Sequence, residues 1–293
     1  MWYLSALASA FLYAFRGILE KKKITHTNKY ILGLSVRLFA VPFFILPLII
    51  HPDFLVPLSH LGGKFWFALF MICCVFTPLE TVFYYESLKE EELSLALPIL
   101  SMSPIVTIIL AAMLLHELPT LLGVVGILII LSGVYALKIS HAREGLLEPI
   151  KHLRRSRGVR LMFVVMLSQG AGSIFDKMAL QSSNAFFYAA VNYVLVSLVL
   201  FIIAWIKAPK HFGELRQHAS SFTAIGLVVA GYTIFYLLAL QSGIASYVVA
   251  IRNASILFSI LFGIVLLREK GKRAKLTAGA LIFLGLLCIK VFS

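Results

Sequence analysis

The sequence predicts an all-α polytopic membrane protein, with ten transmembrane helices arranged as two inverted repeats of five helices. Apolar residues make up 60% of the 293 residues and charged residues only 13%, whereas roughly a quarter of an ordinary soluble domain is charged. The mean hydropathy is +0.96. These charged residues are too few to cover the surface of a water-soluble protein, and lipid must therefore solvate most of the surface. An internal repeat is the third observation.

Ten apolar segments appear when the chain is scanned in windows of about 19 residues. They are 2–23, 29–50, 64–88, 93–115, 119–139, 159–181, 185–206, 219–241, 244–267 and 273–292. Each is close to the roughly 20 residues that a helix needs to cross a bilayer. An outer-membrane barrel would instead show segments of about ten residues that alternate in polarity. The short connectors leave no room for a soluble catalytic domain.

An internal repeat relates the two halves of the chain. A shift of 152 residues aligns Gly133 with Gly285, and a shift of 156 residues aligns Glu20 with Asp176. The predicted domains are a first five-helix repeat at 1–140, a basic linker at 141–158 and a second five-helix repeat at 159–293. Because five is odd, the second repeat enters the membrane from the opposite side. This inverted architecture is typical of secondary transporters that work by alternating access around a central cavity.

The positive charges predict how the chain lies in the membrane. The net charge is +13, but Lys and Arg occur in short clusters between apolar segments, so the sequence predicts no nucleic-acid partner. Twenty of these residues flank the connectors after odd-numbered segments, whereas only Lys64 and Lys290 lie on the other side. Since positive charge is retained in the cytoplasm, the odd-numbered connectors, including 141–158, are predicted to be cytoplasmic.

Several motifs resemble the EamA repeats of the drug/metabolite transporter superfamily. They are MLLHELPTLLGVVGILIILSGVY at 113–135, VLLREKGKRAKLTAGALIFLGLL at 265–287, FYYESLKEEELSLALPILSMSPIV at 83–106, SVRLFAVPF at 35–43 and IFDKMAL at 174–180. The resemblance extends over nearly the whole chain outside the linker. It implies a basket of ten helices and movement of small metabolites by proton coupling, exchange or facilitated diffusion. Many bacterial members begin with a basic, cytoplasmic N-terminus, which this chain lacks.

Ionisable residues inside the predicted spans are the first candidates for a transport pathway, because a charge at a helix centre costs roughly 2.5–3.5 kcal/mol. Glu80 follows Pro78 in the third span. Its carboxyl group is predicted either to carry a proton or a cationic substrate group, or to pair with Arg37 or Arg252. The guanidinium of Arg252 is predicted either to bind a carboxylate or phosphate, or to form a salt bridge with Glu80 or Asp176.

The complete predicted substrate and proton pathway consists of Glu80, Arg252, Asn253, Tyr84, Tyr236, Asp176, Lys177 and Arg37. The acid–Lys pair at 176–177 occupies the same repeat position as the pair at 20–21. Its acid either contributes to the pathway or caps a polar network while the Lys reaches the interface. The two tyrosines either line a pocket or pack against other helices and lipid.

Catalytic motifs are absent from the sequence: it contains no HExxH, GxSxG or Gly-rich phosphate loop and no paired metal ligands. We therefore predict no enzyme activity, no cofactor and no metal. The predicted function is secondary active transport, as an exporter, of a small metabolite such as an amino acid across the bacterial plasma membrane. A coupled proton and a homodimer are further predicted partners. The alternative is a non-transporting protein on the same scaffold, such as a lipid-handling or assembly subunit.

Overall fold

The computed structural model describes residues 1–21, 27–90, 99–139, 156–259 and 272–292, and these residues form helices and loops without a β-strand. The α-helices are α1 Trp2–Lys21, α2 Lys29–Leu38, α3 Val41–Ile50, α4 Gly63–Phe70, α5 Thr77–Glu90, α6 Ser103–Leu110, α7 Leu121–Ile139, α8 Arg157–Leu180, α9 Ala185–Lys207, α10 Gly213–Gln217, α11 Ala219–Ser242, α12 Ala245–Asn253 and α13 Lys272–Phe292. The prediction of an all-helical chain is confirmed for this part of the sequence.

Five helical segments are long and apolar enough to cross a membrane. They are Lys29–Ile50, Gly63–Ser87, Arg157–Leu180, Ala185–Lys207 and Ala219–Ser242, and each end lies within two residues of the predicted end. Shorter apolar helices, Ser103–Leu115, Leu121–Tyr135 and Thr277–Phe292, fall inside three further predicted spans. Parts of the predicted spans 2–23, 93–115 and 244–267, and all of the linker 141–158 except its last three residues, lie outside the described residues.

The second span is broken at its middle, where α2 ends at Leu38 and α3 begins at Val41. The break receives α11 from the other half of the chain. Gly226 of α11 faces it so closely that a Cβ added there would lie 2.4 Å from the carbonyl oxygen of Phe39. A side chain at position 226 would therefore push the two segments apart.

The third span contains a π-helical segment, Met71–Phe76, between α4 and α5. Pro78 follows in the first turn of α5, and a proline offers no N–H to the carbonyl one turn earlier. The wider π turn absorbs that missing bond. The sequence predicts loosened helical hydrogen bonding at this proline, and the π-helical segment is the form that the loosening takes.

The first of two compact units comprises residues 1–82 and 175–242. Within it, α1 packs along α11, and α9 packs against α2 and α3. Its fully buried large side chains include Phe44, Phe65, Tyr188 and Phe222. Aromatic rings are thus the largest of the fully buried side chains in this unit.

Two hydrogen bonds show that α9 runs antiparallel to α2 and α3. At one end, the backbone N–H of Asn28 donates to Glu214 Oε2 at 2.9 Å. At the other end, Asn184 Nδ2 donates to the carbonyl of Phe54 at 2.8 Å. Both asparagines also cap the helices that they precede, since their side-chain oxygens accept from the N–H groups of the first turn. The start of each span therefore lies beside the end of the other.

The second unit comprises residues 83–174 and 243–293. Within it, α7 and α13 pack along their length. They run antiparallel, because Thr120 Oγ1, just before α7, donates to the carbonyl of Phe292 at the end of α13 at 2.7 Å. A Cβ added at Gly285 would lie 2.7 Å from the carbonyl oxygen of Gly126. These glycines therefore pack against each other within one chain.

Replacing Gly285 by Ala is expected to destabilise the protein by about 1–3 kcal/mol, because the added methyl group meets the backbone of α7. Thermal unfolding of the purified protein in detergent measures the loss. Gly17→Ala is the matched control: Gly17 is also helical, and nothing lies within 4 Å of its added Cβ. Equal melting temperatures for the two variants would contradict the close α7–α13 contact.

Candidate functional site

A polar cluster lies in the first unit, on helices that belong to both halves of the chain. We call Arg16, Arg37, Tyr193, Tyr232 and Thr233 the arginine–tyrosine cluster. Its arginines come from α1 and α2, and its hydroxyl groups come from α9 and α11. The hydroxyl-bearing side chains are buried, and both arginines are half-buried. Two positive charges thus lie within predicted spans, where each requires polar partners or water.

Arg16 is neutralised by an acid on its own helix. Its Nε donates to Glu20 Oε1 at 2.5 Å, one turn further along α1. Its Nη1 donates to the hydroxyl of Tyr232 at 3.2 Å. The guanidinium also lies 5.6 and 5.5 Å from the ring centroids of Tyr13 and Tyr232, within the range of a cation–π interaction. This arginine therefore has an ionic partner and two aromatic neighbours.

Arg37 is held by a neutral group instead. Its Nη1 donates to the hydroxyl of Tyr193 at 2.9 Å, and its guanidinium lies 5.1 Å from the centroid of the same ring. The Tyr193 hydroxyl is 2.8 Å from Thr233 Oγ1. Either of these two oxygens can be the donor, because a hydroxyl group both donates and accepts. Among the described residues, Arg37 forms no ion pair.

Glu80 is the acid whose charge acts on Arg37. Its carboxylate interacts electrostatically with the Arg37 guanidinium, as does the like charge of Arg16. Glu80 is half-buried, and it makes no hydrogen bond or salt bridge to any residue that the structure describes. The predicted structural alternative, a direct ion pair with Arg37, is therefore not formed. The Glu80 carboxylate and the Arg37 guanidinium thus interact electrostatically without forming a salt bridge.

Asp176 and Lys177 lie near the end of α8 in the same unit, apart from the cluster. Asp176 accepts a hydrogen bond from the hydroxyl of Tyr188 at 2.6 Å, and Asn192 Nδ2 donates to that hydroxyl at 2.8 Å. These hydrogen bonds form the polar network that the sequence predicts as the structural alternative for Asp176. Lys177 is buried. Tyr236, also buried, lies on α11, one turn beyond Tyr232.

The other predicted residues lie in the second unit. Asn253 Nδ2 donates to the carbonyl of Ser101 at 3.1 Å and to Ser103 Oγ at 3.5 Å. Arg252, beside it, is half-buried in the last turn of α12. The ring of Tyr84 packs against a core that includes Val159 and Met162. In the first unit the structure thus places Glu80 in electrostatic range of Arg37, whereas Arg252, Asn253 and Tyr84 belong to the second unit.

Sequence reasoning did not assemble the arginine–tyrosine cluster, although two signals for it were present. Arg16 and Glu20 are four residues apart, which places them on one face of a helix. Arg37 and Tyr193 are 156 residues apart, the same shift that aligns the first spans of the two repeats. Among the described residues, no group of three or more His, Cys, Asp or Glu side chains is placed to hold a metal ion.

Replacing Glu20 by Gln is expected to destabilise the protein by about 3 kcal/mol, because it leaves Arg16 without its counter-ion in a mostly buried setting. The side chains of this pair are only 17% and 10% exposed. The double variant Arg16→Gln/Glu20→Gln should recover more than half of the loss, and a double-mutant cycle of unfolding in detergent measures both.

The control for this change is Arg157→Gln. Arg157 also forms salt bridges, to Glu86 and Glu90, but its side chain is 64% exposed. Loss of an exposed pair costs at most about 1 kcal/mol. A Glu20→Gln variant as stable as Arg157→Gln would mean that Arg16 does not depend on this acid.

Comparisons with known proteins agree with the geometry. The family model described as EamA-like transporter family matches residues 1–138 and 156–291. A solved structure titled "Crystal structure of protein" superposes with a TM-score of 0.77 at 15% identity, covering 98% of this chain and 96% of that chain. At that identity the likeness concerns the fold. No curated protein matches the chain. The chain belongs to the EamA-like transporter family, within the drug/metabolite transporter superfamily.

Proposed function

We propose that this integral membrane protein is a secondary active transporter, an exporter of a small metabolite, that works by alternating access between two inverted five-helix repeats. The repeats are residues 1–140 and 159–293, joined by the linker 141–158. Membership of a transporter family supports the class of activity and disfavours a lipid-handling or assembly subunit. The main support for the inverted repeat is a set of hydrogen bonds between residues that occupy corresponding positions in the two repeats.

Arg37 and Tyr193 are equivalent under the shift of 156 residues, and they are hydrogen-bonded to each other. Ser101 and Asn253 are equivalent under the shift of 152 residues, and they too are hydrogen-bonded. When a two-fold axis relates two copies, a residue contacts its own equivalent only where it lies on or beside that axis. In each unit, these contacts support an approximate two-fold relation between the repeats.

Pairs away from the axis support the same relation. A Cβ added at Gly126 would lie 3.1 Å from the carbonyl oxygen of Gly285, and one added at Gly133 would lie 3.0 Å from that of Ala278. The shift of 152 converts Gly126 into Ala278 and Gly133 into Gly285, so each contact is the image of the other. Antiparallel spans that exchange equivalent contacts are expected of inverted repeats.

The orientation proposed from the positive charges places the odd-numbered connectors in the cytoplasm. We infer a plasma-membrane location and a substrate such as an amino acid or a related compound. In transporters with inverted repeats the substrate site lies near the bilayer midplane, between the repeats. The contact between Arg37 and Tyr193, one residue from each repeat, supports a substrate site at that point.

The pathway residues receive distinct roles. The coupled proton is assigned to Glu80, because carboxylates inside spans mark proton relays in transporters and Glu80 forms no ion pair with a described residue. Arg252 binds an anionic group of the substrate, and Arg37 belongs to the route in the first unit. Asn253, Tyr84, Tyr236, Asp176 and Lys177 line or support the route. In the first unit, the charge of Glu80 interacts with that of Arg37 on α2, which the charge of Arg16 on α1 also affects.

Counterflow of labelled metabolites in proteoliposomes tests the transport activity, and an imposed pH gradient tests the coupling. We expect Glu80→Gln to abolish gradient-driven accumulation, lowering it at least about tenfold, because the neutral amide carries no proton. Glu90→Gln makes the same change on the same helix at an exposed, salt-bridged position and should behave as wild type. Accumulation by Glu80→Gln that still follows the pH gradient would refute the proton-carrying role.

Arg252→Ala is expected to abolish metabolite flux in the same vesicles while leaving the melting temperature within a few degrees of wild type, since a substrate-binding guanidinium is lost. Arg160→Ala, on α8 in the same unit, is the control for removing one positive charge. Normal flux through Arg252→Ala would remove this residue from the pathway. A large loss of thermal stability would instead indicate a structural arginine.

A further inference from the structure

We propose that Arg37 binds the carboxylate of a solute that presents one negatively charged group to the cluster, and that Glu20 restricts the site to a single such group by neutralising Arg16. The proposal rests on the proposed transport function and names the substrate class of the same site. Four observations support it: the unused donors of Arg37, the fixed position of its guanidinium, the charge balance of the cluster and the position between the repeats.

Arg37 has donors to spare. A guanidinium carries five N–H groups, and among the described residues only the bond from Nη1 to Tyr193 occupies one of them. A charge inside a span needs hydrogen-bond acceptors, yet its one protein acceptor here is a neutral hydroxyl group. The planar fork of a guanidinium matches a carboxylate through two parallel hydrogen bonds. A carboxylate would therefore supply acceptors that the described residues do not offer.

The guanidinium is also held in place before any solute arrives. The Tyr193 hydroxyl accepts from Arg37 and is hydrogen-bonded to Thr233 Oγ1, so its ring cannot move without losing a bond. The ring of Phe44 lies 4.4 Å from the Tyr193 ring and fixes it from another side. A binding group held by such supporting contacts loses little entropy when it binds its ligand.

The charges of the cluster favour one negative charge on the solute. Arg16 and Glu20 form a salt bridge and cancel each other. Within the cluster one positive charge remains, on Arg37; the carboxylate of Glu80, outside the cluster, competes with an anionic solute for it when ionised. A dianion would bring a second negative charge for which the cluster holds no uncommitted cation, and an unpaired charge is costly away from water. The site should therefore discriminate against dianions.

The position of Arg37 suits a binding site that must open in turn to each side of the membrane. Arg37 and its repeat equivalent Tyr193 are in contact, so under the proposed inverted repeat they lie beside the approximate two-fold axis. A point on that axis keeps the same relation to both repeats when they exchange roles. Of these two equivalent positions only Arg37 is cationic, so this pair supplies a single anion-binding group.

Four probes of similar size and different charge test the proposal: butyrate, succinate, 1-butanol and butylamine. Binding to the full-length protein is measured by saturation-transfer NMR, which detects millimolar affinities. We expect wild type to bind butyrate at least about tenfold more tightly than 1-butanol or succinate, because only butyrate offers one carboxylate to one uncommitted guanidinium. Preference for butylamine, or equal binding of butyrate and 1-butanol, overturns the proposal.

Variants locate the binding group. Arg37→Gln should lose the preference for butyrate over 1-butanol, and Arg37→Lys should recover part of it, because the charge returns without the fork. Glu80→Gln should tighten butyrate binding by roughly three- to tenfold, since a competing negative charge is removed. Arg157→Gln, which removes an exposed arginine elsewhere, should leave all four affinities unchanged. If Arg37→Gln retains the preference, Arg37 is not the binding group.

The role of Glu20 is tested separately. Glu20→Gln should raise the affinity for succinate relative to butyrate by at least about fivefold, because Arg16 becomes available to a second carboxylate. If this variant does not fold, Glu20→His is used with the same expectation, and an unchanged succinate-to-butyrate ratio overturns the restriction by Glu20. The two proposals fail separately. If the protein shows counterflow of a metabolite but no preference for butyrate in the binding measurement, the proposed carboxylate site is refuted and the transport function stands. If no metabolite shows counterflow, the transport function is refuted.

Discussion

The cost of keeping a charge inside a bilayer is the constraint on which the interior of this protein depends. Arg16 and Arg37 meet that cost in different ways. Arg16 has an acid one turn away on its own helix, so its charge is balanced by local sequence. Arg37 relies on a tyrosine hydroxyl and a ring face from α9, so its charge is stabilised but not neutralised. This difference separates an arginine that belongs to the scaffold from one that is suited to binding.

Hydropathy and length were sufficient to predict the helical class and the ends of the five long spans. The helical class and the span ends depend on the apolar composition of each segment, which can be read from neighbouring residues in the sequence. The break between α2 and α3 was not predicted, because its cause includes Gly226, which approaches the backbone of Phe39 from a distant helix. The π-helical segment at Met71–Phe76 was anticipated only as looseness before Pro78, since the proline predicts a defect and not its form.

The candidate site was predictable in its ionisable residues and not in their pairing. Glu80 and Arg37 stand out because charges are rare in spans. Their neighbours come from α9 and α11, far along the sequence, and hydropathy carries no information on which faces meet. The proposed internal repeat contains part of the answer: if a two-fold axis relates the repeats, equivalent positions can touch only near that axis, and Arg37 and Tyr193 are equivalent positions in contact. The acid–Lys pair at 176–177 looked equally promising, yet the structure places Asp176 in a network with Tyr188.

The π-helical segment in the third span has a consequence for the aim of every side chain that follows it. A π turn amounts to one additional residue in an otherwise regular helix, and each residue of an α-helix advances by about 100° around the axis. Glu80 and Tyr84 therefore point roughly a quarter-turn away from the direction that an uninterrupted helix would have given them. A single inserted residue, which a hydropathy profile does not detect, thus determines the direction of the Glu80 side chain. Among the described residues of this span, Glu80 has the carboxylate that acts on Arg37.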